Sequence, residues 1–202
     1  MLNQLVIASN NQGKLDELGV LLQNIGIELI PQSSFGVAAA EENGQSFVEN
    51  ALIKARHASS ITGLPALADD SGLVVPALGG APGINSARYA GQHGDDQANN
   101  AKLLTAMQSL RHAKRNAYFY CAMVLILSHQ DPTPVIAEGK LAGQIAAQPK
   151  GNNGFGYDSL FILPDTGTHL AQLSVAKKNR ISHRSQALDR LMWHIKQGYF
   201  QK

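Results

Sequence analysis

Asp69 and Asp70 stand side by side between two apolar runs, Ala66-Leu67-Ala68 and Leu73-Val74-Val75. Adjacent carboxylates can hold a cation or move a proton. A buried carboxylate is costly unless it is paired or binds a cation, so something cationic must face this pair. Each run has strand length, and the Asp-Ser-Gly between them is turn chemistry, which predicts short strands broken at the pair. Side chains alternate along extended chain, so Asp69 and Asp70 are expected to point opposite ways. The plainer alternative is a carboxylate that caps the turn through its own backbone.

Other segments carry complementary groups. The loop Ser9-Asn10-Asn11-Gln12-Gly13-Lys14 follows an apolar strand and opens a helix. That arrangement offers backbone N–H groups to an anion, and Lys14 adds a charge. Any strand-to-helix turn uses similar residues, and neither a Walker loop nor a dinucleotide-binding fingerprint is present. Glu41-Glu42 is either solvated or shares a cation with the aspartates. Ser46-Phe47-Val48-Glu49 is a capping box that starts a helix carrying Lys54 to about Thr62. In Gly154-Phe155-Gly156-Tyr157-Asp158, Phe155 either anchors the loop or stacks on a flat base that the glycines let approach. Lys177, Lys178, Arg180 and Arg184 form the densest basic cluster. Paired acids without clustered cysteine or histidine suit a hard, oxygen-held cation such as Mg²⁺. Lysines suit a phosphate chain and the aromatic loop a base, so a nucleoside triphosphate uses all of these groups.

The elements that must position them read as follows. Leu5 to Ala8 is a buried first strand; Leu15, Leu18, Leu21, Leu22 and Ile25 mark the face of the next helix, with Gly26 as its stop. Glu28 to Ile30 is a short strand. Asp95 caps a helix over 96–110. A strand over 117–128 and another over 135–139 form a hairpin; 173–184 reads as strand end and basic loop, followed by a last helix burying Leu188, Leu191, Met192 and Ile195. This order predicts an α/β protein with a mixed, largely antiparallel-extended twisted sheet and flanking helices, over 1–202 as a single domain. A net charge of +2 and one candidate stacking aromatic argue against a nucleic-acid coat. The single cysteine, Cys121, sits in an apolar run and reads as a buried thiol. No signal pattern or apolar run of membrane-spanning length occurs, so a cytoplasmic protein with no membrane partner is expected.

The motifs taken together resemble the inosine triphosphate pyrophosphatase family almost end to end. The resemblance rests on Ser9-x-Asn11-x-x-Lys14, Phe47-x-Glu49-Asn50-Ala51-x-x-Lys54, Ala68-Asp69-Asp70-Ser71-Gly72-Leu73, Leu78-Gly79-Gly80-Ala81-Pro82-Gly83 with Ser86-Ala87-Arg88-Tyr89, Gly154-Phe155-Gly156-Tyr157-Asp158, and Ser182-His183-Arg184. It implies two lobes around a central cleft, a homodimer, and Mg²⁺-dependent hydrolysis of ITP, dITP and XTP to the monophosphate and pyrophosphate. It implies Asp70 as catalytic carboxylate and metal ligand, Glu41 as the second metal carboxylate, and Ser71 as a substrate contact. Ser9, Asn10, Asn11, Gln12, Gly13, Lys14, Lys54 and Lys178 match phosphate-side contacts. Phe155, Gly156, Tyr157, Asp158, His183 and Arg184 match base-side contacts.

The chain departs from the family pattern at Asn85, where tyrosine is usual, at Ser159, where proline is usual, and at Ala176-Lys177, which replaces an acidic pair. The competing readings are a pyrophosphatase for other modified nucleotides, a catalytically silent nucleotide binder, and an RNA-binding module.

Overall fold

Alternation of apolar side chains builds the sheet. In the computed structural model, which describes residues 4–22, 27–110 and 114–196, the strands are β1 (Gln4–Ile7), β2 (Glu28–Pro31), β3 (Ala66–Val74), β4 (Asn116–Ile126), β5 (Val135–Ile145) and β6 (Phe161–Ile162). They form one sheet in the order β2-β1-β3-β4-β5-β6. β1 pairs parallel with both β2 and β3, and β5 pairs antiparallel with β6, so the sheet is mixed. Parallel neighbours need crossovers. Helices α1 (Gln12–Leu22) and α2 (Phe47–Thr62) lie on those connections. Helices α3 (Asp96–Ala106), α4 (Val175–Ile181) and α5 (His183–Lys196) complete the set.

The chain divides into two compact units, one of 1–70, 121–139 and 184–202, the other of 71–120 and 140–183. In the first unit the strand period sorts side chains between two cores. Leu5, Ile7 and Leu67 pack with Leu18 and Leu22 of α1 and Leu188 and Leu191 of α5. Val6, Ala8, Ala66 and Ala68 pack with Ala51, Ala55 and Ala58 of α2. By the same period, Asp69 belongs to the α1 and α5 side and Asp70 to the α2 side. The second unit has its own core, including Leu73, Leu103, Met107, Phe119, Tyr157 and Phe161.

Four sequence expectations are corrected. β3 is one nine-residue strand that runs through Asp69-Asp70-Ser71-Gly72 without a turn. The buried run on both sides overrides the turn propensity of these residues. Gly72 serves close approach instead: a Cβ there would lie 2.6 Å from the Gly83 carbonyl oxygen and 2.9 Å from Ser86 Cβ. α3 begins after its Asp95 cap as expected but ends at Ala106, and its buried face carries Asn99 and Leu103. The 173–184 segment is largely helical, with Ser174 capping α4 through the Lys177 N–H. β5 extends to Ile145.

The capping box of α2 is present as expected, with Ser46 and Glu49 bonded reciprocally and Gly63 closing the helix in the left-handed region. Ile25 and Gly26 lie outside the described residues, as does the side chain of Leu21. Cys121 is fully buried, and burial with the nearby Asp69 carboxylate pushes its thiol up to about 12, which makes it inert at neutral pH. Among the described residues no helix is long and apolar enough to cross a membrane.

Candidate active site

In the first unit, Asp69 is 2% exposed and meets two cations: Lys14 Nζ at 3.0 Å and Arg184 Nη2 at 3.3 Å, both on Oδ2. Glu17 of α1 pairs with the other terminal nitrogen of Arg184. Burial alone raises the Asp69 carboxyl, but Lys14 and then Arg184 hold it well below the usual carboxylate range. Asp69 is therefore a fixed anion between α1 and α5.

Asp70 is 5% exposed and has different partners. Lys54 Nζ lies 2.9 Å from Oδ1, and Asn50 Nδ2 donates to Oδ2 at 3.3 Å. Lys54 also meets Glu42 at 3.0 Å. Burial pushes the Asp70 carboxyl up; Lys54 and Lys14 pull it down, and Glu42 adds to the rise, leaving it above its ordinary value. Burial would lower the Lys54 ammonium, but Asp70, Asp69 and Glu42 outweigh it and hold the charge. The two adjacent carboxylates thus differ: two cations hold Asp69 ionised, whereas burial outweighs Lys54 and Lys14 at Asp70.

The Ser9–Lys14 loop forms the start of α1. Asn11 Oδ1 accepts the Lys14 N–H at 3.1 Å as an N-cap, and Ser9 Oγ accepts the Asn11 N–H at 3.2 Å. Asn10 accepts from Gln32 at 2.9 Å. Gln12 and Gly13 occupy the first helical positions, where N–H groups have no partner within the helix. Ser71 follows Asp70 in β3.

In the second unit, Phe155 is half-buried and Lys178 Nζ stands 4.7 Å from its ring centroid. Lys178 also bonds Asp158 Oδ2 at 2.6 Å, and the same oxygen accepts the Phe155 N–H at 3.1 Å. A Cβ on Gly154, which has φ 78°, would collide with that carboxylate. The sequence put Lys178 with the phosphates; the structure couples it to two residues expected at the base. Lys177 is exposed and Lys178 buried, which separates the adjacent lysines. Asp96 and Asn100 of α3 clamp Gly156 through its N–H at 2.6 Å and its carbonyl at 2.9 Å. The Tyr157 hydroxyl donates to the Ser86 carbonyl at 2.9 Å, inside the core. His183 stacks on Phe119 with centroids 4.9 Å apart.

Sequence reasoning missed Glu17, Glu42 as the carboxylate on Lys54, and the α3 clamp. The helical spacing of Lys14 and Glu17 was a signal for the first; contacts distant in sequence had none. Glu41 is exposed, and its carbonyl accepts the Asn43 N–H at 3.2 Å. Among the described residues no three His, Cys, Asp or Glu side chains are grouped closely enough to hold a metal by themselves. The donor set nonetheless fits a hard cation. Asp70 and Glu41, the exposed neighbour of the Glu42 that shares Lys54 with Asp70, supply carboxylate oxygens alone, and Mg²⁺ ordinarily takes one or two carboxylates plus substrate phosphates. An open pocket of about 540 Å³ lined by Ile136, Arg190 and Trp193, among others, contains none of the predicted residues.

The model of the Ham1 family matches residues 5–194. This chain belongs to the Ham1 family. A dITP/XTP pyrophosphatase of Nitrosomonas europaea is 56% identical over 191 residues, covering 95% of this chain and 93% of that protein. A dITP/XTP pyrophosphatase of Vibrio cholerae is 48% identical, covering 97% and 98%. Among solved structures, a Ham1 protein of Coxiella burnetii superposes with a TM-score of 0.90 at 46% identity, covering 98% of this chain and all of that one. The Staphylococcus aureus Ham1 protein gives 0.85 at 38% identity, covering 96% and 98%. The mixed α/β fold expected from sequence is therefore the Ham1 fold.

Proposed function

We propose that this Ham1-family chain is a nucleoside triphosphate pyrophosphatase that hydrolyses dITP, XTP and ITP to the monophosphate and pyrophosphate, clearing deaminated purines from the nucleotide pool. The substrate class follows the names of relatives about half identical over nearly the whole chain. The observation that carries the chemistry is the split between Asp69, held on one oxygen by Lys14 and Arg184, and Asp70, whose two oxygens meet Lys54 and Asn50.

In this reading Asp70 takes a proton from water as the water oxygen bonds to the α-phosphorus. The bond from that phosphorus to the bridging oxygen breaks, and pyrophosphate leaves with the electron pair. Lys14 and Lys54 stabilise the charge that develops on the phosphates, with the α1 N-terminus from Ser9 to Gly13 supporting them. Asp70 and Glu41 would hold Mg²⁺ with the phosphates, and the ion would supply charge neutralisation and orientation there. Glu42 keeps Lys54 aligned. Phe155 offers a face to the base, with Gly156, Tyr157 and Asp158 shaping its loop and Lys178 held against it. His183 favours a 6-oxo purine over adenine, because an unmatched buried donor discriminates strongly; Arg184, expected at the base from the resemblance, has both terminal nitrogens on Glu17 and Asp69 and supports the site through Asp69. Ser71 contacts the substrate beside Asp70. We also infer a homodimer and a cytoplasmic location, as the family resemblance and the composition suggest; sedimentation velocity tests the first.

The test is separate assay of pyrophosphate and orthophosphate from ITP, XTP, GTP, ATP and UTP with Mg²⁺, alongside Asp70→Asn. Pyrophosphate from ITP and XTP, little from the others, and loss in the variant support the reading. Orthophosphate as the first product overturns the bond assignment. ITP binding without turnover makes the chain a silent binder.

A further inference from the structure

Asn50 is fully buried on α2, one helical turn before Lys54, so both side chains leave the same face of the helix. Their polar ends divide the Asp70 carboxylate between them, Lys54 on Oδ1 at 2.9 Å and Asn50 Nδ2 on Oδ2 at 3.3 Å. The other end of the Asn50 amide faces the acidic loop. Its Oδ1 accepts the Gly44 N–H at 2.9 Å. The amide orientation follows from its neighbours: a flip would set oxygen against carboxylate oxygen and NH₂ against N–H. Gly44 is fitted to the contact, since a Cβ there would lie 2.7 Å from Asn50 Oδ1. Serine, leucine or glutamine would lose the reach or one of the bonds.

We propose that Asn50 is a positioning residue that ties the Glu41–Gly44 loop to the Asp70 carboxylate, so that the acidic loop and β3 present their carboxylates in a fixed relation to the divalent cation and the attacking water. This inference rests on the function proposed above. A buried amide that bridges two acidic segments acts on a metal site through its ligands, and loss of such a partner typically costs about 10- to 100-fold in metal affinity or activity. Both ends of the Asn50 amide are engaged by the protein, so it acts through Asp70 and the loop.

The experiment compares wild type with Asn50→Ala, Asn50→Asp and Ala58→Gly, the last a buried α2 substitution two helical turns beyond Asn50 that serves as a stability control. Three quantities are read: amide hydrogen exchange at Gly44, the Mg²⁺-induced shift in melting temperature without nucleotide, and kcat, KM and the Mg²⁺ midpoint with ITP. In Asn50→Ala, Gly44 exchange accelerates and the Mg²⁺-induced shift shrinks. Its kcat falls and its Mg²⁺ midpoint rises, each by about tenfold or more, while KM stays within about threefold. Asn50→Asp separates the halves of the bridge: an oxygen still accepts from Gly44, so that amide stays protected, yet a carboxylate now faces Asp70 and kcat falls at least as far. Ala58→Gly lowers stability alone. Wild-type kcat and Mg²⁺ midpoint in Asn50→Ala would overturn the proposal and leave Asn50 a loop clamp. If Asn50→Ala does not fold, Asn50→Asp decides by the same criterion. If wild type hydrolyses no triphosphate, the functional reading fails separately, and the Mg²⁺ shift and its loss in the Asn50 variants still test positioning; no shift in wild type overturns it.

Discussion

Asp69 and Asp70 are consecutive in β3, yet Asp69 meets Lys14 of α1 and Arg184 of α5 while Asp70 meets Asn50 and Lys54 of α2. One peptide unit of pleat separates a carboxylate held by two cations from one held by a cation and an amide. The first is bonded by two cations on a single oxygen; the second shares its cation with Glu42. Variants at the two positions should therefore behave in opposite ways.

Asp69→Asn leaves Lys14 and Arg184 beside a neutral amide in a buried site. Breaking one partner of a buried pair costs about 3–5 kcal/mol, and urea unfolding at pH 7 should read a loss of that order. The folded Asp69 carboxyl lies below its unfolded value, so its contribution is full above the ordinary carboxylate pKa and is lost as pH falls. Wild type should lose stability between about pH 5 and pH 2 more steeply than Asp69→Asn. Equal slopes would contradict the assignment of Asp69 as the locked anion.

Asp70→Asn has the reverse sign for stability. A carboxyl whose folded value is raised costs stability once pH exceeds its unfolded value, because the folded site resists ionisation. Without metal at pH 7, calorimetry should find a melting temperature at or above that of wild type. Pyrophosphate release should fall by at least about a thousandfold, as for loss of a general base. A melting temperature several degrees lower would mean that Asp70 holds the fold as well as the chemistry.

Glu41 and Glu42 are adjacent and should separate kinetically. Glu42 bonds Lys54 at 3.0 Å, so Glu42→Gln should act on nucleotide binding through that lysine and change KM more than the Mg²⁺ midpoint. Glu41→Gln should raise the Mg²⁺ midpoint, if Glu41 is the second metal carboxylate. Magnesium titrations of activity at fixed ITP decide between them; interchanged effects would reassign the metal carboxylate to Glu42.

Asp158→Asn should loosen the Phe155 loop. Its Oδ2 holds both Lys178 Nζ at 2.6 Å and the Phe155 N–H at 3.1 Å. We expect KM for ITP to rise about tenfold with kcat kept within about threefold, the pattern of lost uniform binding. Phe155→Ala should match it, since base stacking contributes about 1–3 kcal/mol. A selective fall in kcat in either variant would place this loop at the reacting phosphates.

Gly72→Ala tests the uninterrupted strand. Its methyl would enter the space held by the Gly83 carbonyl and Ser86, at 2.6 and 2.9 Å. Overpacking of this kind costs about 1–3 kcal/mol, read by thermal unfolding. An unperturbed melting temperature would show that the Gly83–Arg88 turn can shift.

Much of this was legible in the amino-acid order. The continuous apolar run Leu5–Ala8 and the helical spacing of apolar residues in α1 and α5 gave the element types, because burial rewards those patterns whatever the partner. Ser46 and Glu49 announced the start of α2, and Asp95 that of α3, because caps are local bonds. The parity of a strand already required Asp69 and Asp70 to differ. Where local propensity and burial disagreed, at Asp69-Ser71 and at 173–184, local chemistry misled, since a buried central strand or a docked helix outweighs a few tenths of a kcal/mol of turn preference.

The sequence by itself determined the family, the mixed α/β fold and the residue types of the chemistry, because those rest on spacing within single segments. Tertiary structure decided which charge answers which. Arg184 reaching Asp69 across 115 residues, Glu42 rather than Glu41 on Lys54, and Asn50 between Gly44 and Asp70 are contacts between separate elements. Nothing local encodes such contacts, since their energy exists only once packing has removed water from both partners and left each ion the counterions that the fold brings to it.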